Sequence, residues 1–155
     1  MKRDEALVPL SREHNTALAL ARDARRVAAN GTEAEVSDAW RRLSRAWYTE
    51  MAAHFRAEEQ YLFPILRENG DHELVDELIR EHRAMQYALE DPARQNRARL
   101  DAIGHVLNEH VRREEREVFP SLEKLFTPDM RQRVSIGIRR MTQSEDPDAA
   151  RKVAS

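Results

Sequence analysis

His54 and Glu58 stand four residues apart, and so do His110 and Glu114. On a helix that spacing puts an imidazole and a carboxylate on the same face, one turn apart. Imidazole nitrogen and carboxylate oxygen are the side-chain donors that suit iron, manganese or zinc. Each pair belongs to a longer match. Residues 54–64 read HFRAEEQYLFP and residues 110–120 read HVRREEREVFP, both of the form HxxxEExxxFP. A shorter echo precedes each copy: REH at residues 12–14 and again at 80–82. The chain therefore reads as two diverged copies of one helical hairpin, each carrying an REH histidine and an HxxxE pair.

The flanking sequence says where these groups point. Apolar residues recur every three or four positions, as on the buried face of a helix. One stripe runs Trp40, Leu43, Trp47, Met51, His54, Glu58, Leu62, Ile65, and another runs Leu100, Ile103, Leu107, His110, Glu114, Val118, Leu122. Leu7, Leu10, His14, Leu18 form a third, and Val75, Leu78, His82, Met85, Leu89 a fourth. Four histidines and two glutamates thus occupy core positions without breaking the phase. A buried carboxylate is costly unless it is paired or binds a metal, and no Lys or Arg lies on these stripes. If Glu58 and Glu114 each bridge two metals, and four imidazoles are shared between them, each metal receives two oxygens and two nitrogens. A bridging ligand derived from water brings each to five and leaves room for an exogenous molecule. The His-first order reverses the Glu-x-x-His arrangement that other bundles use on facing helices.

Breaks in the pattern define the elements. Asn30-Gly31, Asn69-Gly70-Asp71, Asp91-Pro92 and Thr127-Pro128-Asp129 separate helices expected near 10–29, 33–68, 72–90, 92–126 and 128–142. Gly31 is expected to close the first helix in the left-handed conformation. Short connections between long helices favour antiparallel neighbours, so the fold class is all-α: an up-down-up-down four-helix bundle with a short fifth C-terminal helix. Pro64 and Pro120 lie inside helical patterns and are expected to kink them. The fifth helix carries Val134, Ile136, Ile138 and Met141 and is expected to cover the bundle. The domain is expected to span residues 1–143, with a polar, disordered tail at 144–155.

Other polar residues near the stripes are less telling. His105 falls off the stripe and His72 sits at a helix start; both are expected at the surface. Glu13 and Glu81 precede a stripe histidine in both copies, where a hydrogen bond to the imidazole makes sense. Glu59 and Glu115 lie one residue off the stripe; the usual exposure of Glu favours solvent over an imidazole partner. Tyr61 and Tyr87 are read as core packing.

Bulk properties set the outer bounds. The chain has 155 residues, 41 % hydrophobic and 35 % charged, which allows one domain with a real core. No cysteine is present, which excludes disulfides, zinc-thiolate sites and a thiol nucleophile. The 26 basic and 28 acidic residues are interspersed, so no footprint for nucleic acid is seen. No apolar run approaches the ~20 residues of a membrane span. MKRDEALVPL lacks an apolar core of signal-peptide length, so a cytoplasmic location is expected.

The order His, HxxxE, EH, HxxxE with LFP and VFP endings resembles the hemerythrin-like (HHE cation-binding) family from about Leu7 to Phe126. The resemblance implies a four-helix bundle around two iron ions in a non-haem di-iron centre. It implies His14, His54, Glu58, His82, His110 and Glu114 as metal ligands, with Glu58 and Glu114 bridging. Oxygen-carrying hemerythrins have an HxxxH on the third helix, where this chain has Gln86, and a His followed five residues later by Asp on the last. The chain therefore resembles the more symmetric hemerythrin-like proteins, which implies binding, sensing or reaction of oxygen, peroxide or nitric oxide at iron. Peroxidase-like, catalase-like or nitric-oxide-reducing turnover, regulation of a protein partner through the fifth helix or the tail, and a metal-free structural bundle are the rival readings. No catalytic acid or base stands out beyond the ligands, with Tyr61 the nearest candidate.

Overall fold

The computed structural model describes residues 2–143. The tail expected at 144–155 lies outside the described residues. Five helices and no strand are found among them: α1 (Val8–Asn30), α2 (residues 33–68), α3 (His72–Glu90), α4 (residues 97–125) and α5 (Pro128–Gln143). The first four run up-down-up-down, and α1 packs most extensively against α4.

Each boundary has a local cause. Thr32 caps α2 with a capping box, its hydroxyl accepting from the Glu35 N–H while the Glu35 carboxylate accepts from the Thr32 N–H. Gly31 differs from expectation: its backbone is extended (φ −81°), and a Cβ there would lie 2.7 Å from the Val27 carbonyl oxygen, so a close approach demands the glycine. The left-handed glycine is Gly70 instead, at φ 98° between α2 and α3. The fourth helix also starts later than its proline suggested. Asp91 caps only a short tight turn, Pro92–Arg94, and α4 begins at Arg97 with the Asn96 side chain accepting from the Arg99 N–H.

The two HxxxEExxxFP copies fold alike. The helix widens for one turn at Glu58–Leu62 and again at Glu114–Val118. There the Phe63 N–H bonds back to the Glu58 carbonyl and the Phe119 N–H to the Glu114 carbonyl, five residues back in each case. Pro64 and Pro120 follow directly and lack the N–H that would close the next bond. The expected proline kink is thus a wide turn beginning at each glutamate. The extra residue moves the apolar stripe forward by one. Phe63 and Leu66 are buried, whereas Ile65, the position extrapolated from a regular helix, is only partly so.

Two apolar layers result. One gathers Trp40, Leu43, Trp47, Met85, Leu100 and Leu107; the other gathers Leu7, Leu10, Leu62, Phe63, Leu78, Phe119 and Leu122. The fifth helix closes the second layer with Val134 and Ile138 and leaves Ile136 exposed. It can approach because Gly137 lies under the Tyr61 ring, where a Cβ would come within 2.4 Å of the ring.

Gly137→Ala should therefore destabilise the fold by about 1–3 kcal/mol, the usual cost of overpacking. Denaturant melts would show the loss shrinking when the substitution is made in a Tyr61→Ala background. An equal loss in both backgrounds would rule out the ring contact as its cause.

Candidate metal centre

Between the two apolar layers lies a polar one. The only buried polar or charged residues among those described are His14, His54, Glu58, His82, His110 and Glu114. α1 supplies His14, α2 supplies His54 and Glu58, α3 supplies His82, and α4 supplies His110 and Glu114. All six site residues expected from the sequence are brought together. Their donor atoms form two overlapping groups: His14, His54, Glu58 and Glu114, and Glu58, His82, His110 and Glu114. Within each group the donors lie within 4.8 Å of one another, and both carboxylates belong to both groups.

The ring nitrogens and carboxylate oxygens are crowded together. The Nε2 atoms of His14 and His54 are 3.1 Å apart, as are those of His82 and His110. His54 Nε2 lies 2.5 Å from Glu58 Oε1, His14 Nε2 3.0 Å from Glu114 Oε2, and His110 Nε2 3.1 Å from Glu114 Oε1. None of the four carboxylate oxygens of Glu58 and Glu114 has a hydrogen-bond partner, although all are buried. Orphaned oxygens of this kind cost free energy. A cation in each group would satisfy them, so the residues present fit a metal.

The far side of each ring explains why Nε2 faces inward. His14 Nδ1 bonds to Glu115 Oε1 at 2.7 Å, His82 Nδ1 to Glu59 Oε2 at 2.9 Å and His110 Nδ1 to Glu81 Oε1 at 2.8 Å. A carboxylate only accepts, so each of these Nδ1 atoms carries the proton, and in the neutral ring the lone pair stays on Nε2. Glu13 takes the equivalent place beside His54 Nδ1, at 3.6 Å. Glu59 and Glu115, expected at the surface, are thus drawn to the imidazoles. The Glu-Glu doublet repeated in both copies was the signal: its first member faces the centre, its second the histidine of the other hairpin.

Charge follows from the same packing. Burial pushes the Glu58 carboxyl well above the usual range, and the neighbouring Glu114 charge pushes it further. Burial also acts on Glu114, but the charge of His110 and its contacts with Glu58, His110 and His14 outweigh it and hold that carboxyl well below the range. Burial would lower His110, yet Glu114, Glu81 and Glu58 raise it to about 10. On His82 burial prevails over Glu59 and the ring is pushed down.

A family model for the hemerythrin HHE cation binding domain matches residues 7–122. The chain belongs to this family. The hemerythrin match reaches all four bundle helices, includes every residue of the polar layer, and stops short of α5. Searches of curated proteins and of solved structures each returned no match. The protein thus carries a hemerythrin-like metal-binding domain whose His/Glu cluster fits a metal site.

The remaining sequence candidates lie elsewhere. His105 and His72 are exposed, as expected. Gln86 turns away and donates to Glu90, which also accepts from the Trp47 indole. Tyr61 packs on α5. Tyr87, read as core, is 56 % exposed with the Arg94 guanidinium over its ring.

Glu58→Gln tests the orphaned carboxylates directly. In chelator-treated protein it should leave the melting temperature nearly unchanged, because burial and the Glu114 charge already hold the Glu58 carboxyl in its neutral, protonated form. In metal-loaded protein the same substitution should lower it. Thermal melts with and without chelator make the comparison, and an equal shift in both states would contradict the metal assignment.

Proposed function

We propose that this protein is a non-haem di-iron protein that binds, senses or reacts with a small molecule, whether oxygen, peroxide or nitric oxide, at its metal pair. His14, His54, Glu58, His82, His110 and Glu114 are the ligands in this reading, with Glu58 and Glu114 shared between the two positions. The observation that carries it is the overlap of the two donor groups through two buried carboxylates that lack any other partner. Mixed nitrogen and oxygen donors suit iron, with manganese and zinc as competitors. When bound, a pair of iron ions supplies redox capacity and positions open to an exogenous ligand.

The chain's own residues do the rest. The outer carboxylates keep protons on Nδ1 and so aim Nε2 at the centre. Phe55 stacks on the His82 ring at 3.9 Å, nearly parallel, and Phe119 on the His14 ring at 5.1 Å. These rings, with the apolar layers above and below, keep bulk water from the carboxylates. Among the described residues no helix is long and apolar enough to cross a membrane, and a cytoplasmic location is part of the proposal.

The test is metal content with an optical spectrum. Protein purified without chelator and loaded anaerobically with Fe(II) should hold two irons per chain. On admitting air it should develop an oxo-bridged ferric band in the near ultraviolet, absent from the Glu58→Ala/Glu114→Ala variant. Stripping the metal should lower the melting temperature, since a ligand at a hundredfold excess over its Kd stabilises the folded state by about 2.7 kcal/mol. No stoichiometric metal and an unchanged melt would overturn the proposal.

A further inference from the structure

We infer that the two halves of the centre hold their ions unequally, and that Glu13, which no guanidinium anchors among the described residues, makes the His14/His54 half the labile one. The inference rests on the metal reading above and concerns the carboxylates behind the imidazoles.

Three of the four imidazole-carboxylate contacts are backed by a guanidinium. Arg3 binds Glu115 at 2.7 Å, Arg83 binds Glu59 at 2.6 Å, and Arg113 binds Glu81 at 2.8 and 3.0 Å. Each arginine fixes its carboxylate while the carboxylate fixes a ring. The fourth contact has no such backing among the described residues. Glu13 lies 3.6 Å from His54 Nδ1, and its Oε1 is buried without a hydrogen bond. Its neighbour is another carboxyl, Glu50, rather than a guanidinium.

The repeat shows how the difference arose. Arg113 stands three residues after His110; the same place after His54 is Ala57, fully buried and without a charge to offer. Glu50 stands four residues before His54, where the second copy has Val106. A second asymmetry acts the same way. The residue after His54 is Phe55, which braces His82 by stacking, whereas the residue after His110 is Val111, which has no ring. His82 and His110 are thus both firmly held, while His54 sits opposite a carboxylate that no guanidinium backs among the described residues. Loss of an outer partner of this kind typically costs a metal site 10–100-fold in affinity.

The experiment follows iron release. The Fe(II)-loaded chain, kept anaerobic, is mixed with excess chromogenic chelator. Wild-type protein should release its iron in two phases of equal amplitude, with rates separated by about tenfold or more. Glu50→Arg, which offers Glu13 a guanidinium, should slow the fast phase and leave the slow one unchanged. Arg113→Gln, which frees Glu81 behind His110, should accelerate the slow phase. Two irons released in a single phase would overturn the inference, as would two phases indifferent to both substitutions; either result leaves the di-iron reading standing. A chain that takes up no iron would overturn that reading itself. The wild-type measurement decides the first point even if a variant fails to fold.

Discussion

The interaction on which this structure turns is the one its side chains cannot complete among themselves. Four imidazole Nε2 atoms and four carboxylate oxygens converge between two apolar layers, and among the described residues no arginine or lysine reaches them. Buried polar groups are ordinarily satisfied. Here the polar layer is satisfied only on its outer side, where carboxylates hold the Nδ1 protons, and it is left open on its inner side. The same carboxylates that orient the rings also prevent those rings from neutralising one another through Nε2. The polar layer therefore has the donor set of a cation site.

The backbone serves the same end. Each bridging candidate, Glu58 or Glu114, opens a widened turn that the following phenylalanine closes and the proline after it confines. Widened turns of this type recur at functional sites. Their effect here is to let one helix present a histidine, a glutamate and then two consecutive core residues, Leu62 with Phe63 or Val118 with Phe119, without losing contact with the layer beneath. The HxxxEExxxFP motif is thus a backbone device as much as a list of donors.

Much of this was legible in the sequence because the repeat and the helical period point to the same residues. The four stripes placed His14, His54, His82 and His110 in the core because a buried histidine keeps phase with Leu and Trp. The fold class followed from short connections between long periodic segments. What the sequence hid was anything that departs from a regular helix or depends on a distant segment. Ile65 was misplaced by one position because a wide turn leaves no mark in a period of 3.6. Tyr87 looked like core because it follows His82 by one turn and a residue, yet Arg94, beyond the helix end, holds it at the surface. Glu59 and Glu115 were hard to assign because their partners, His82 and His14, lie on the other hairpin. The arginines behind them were invisible for the same reason: Arg3 reaches Glu115 across 112 residues.

That crossing between hairpins has a consequence for how the molecule comes together. The second glutamate of each doublet orients a ring belonging to the opposite copy: Glu59 that of His82, and Glu115 that of His14. Each hairpin therefore leaves its own REH histidine without an aligning partner until the other arrives. Local helix formation can proceed early, but the His14 ring reaches its working orientation only when a contact spanning 101 residues has closed. Such non-local contacts are the slow ones in folding. The interlock thus acts as a checkpoint: a half-made chain offers loose donors rather than a finished cradle.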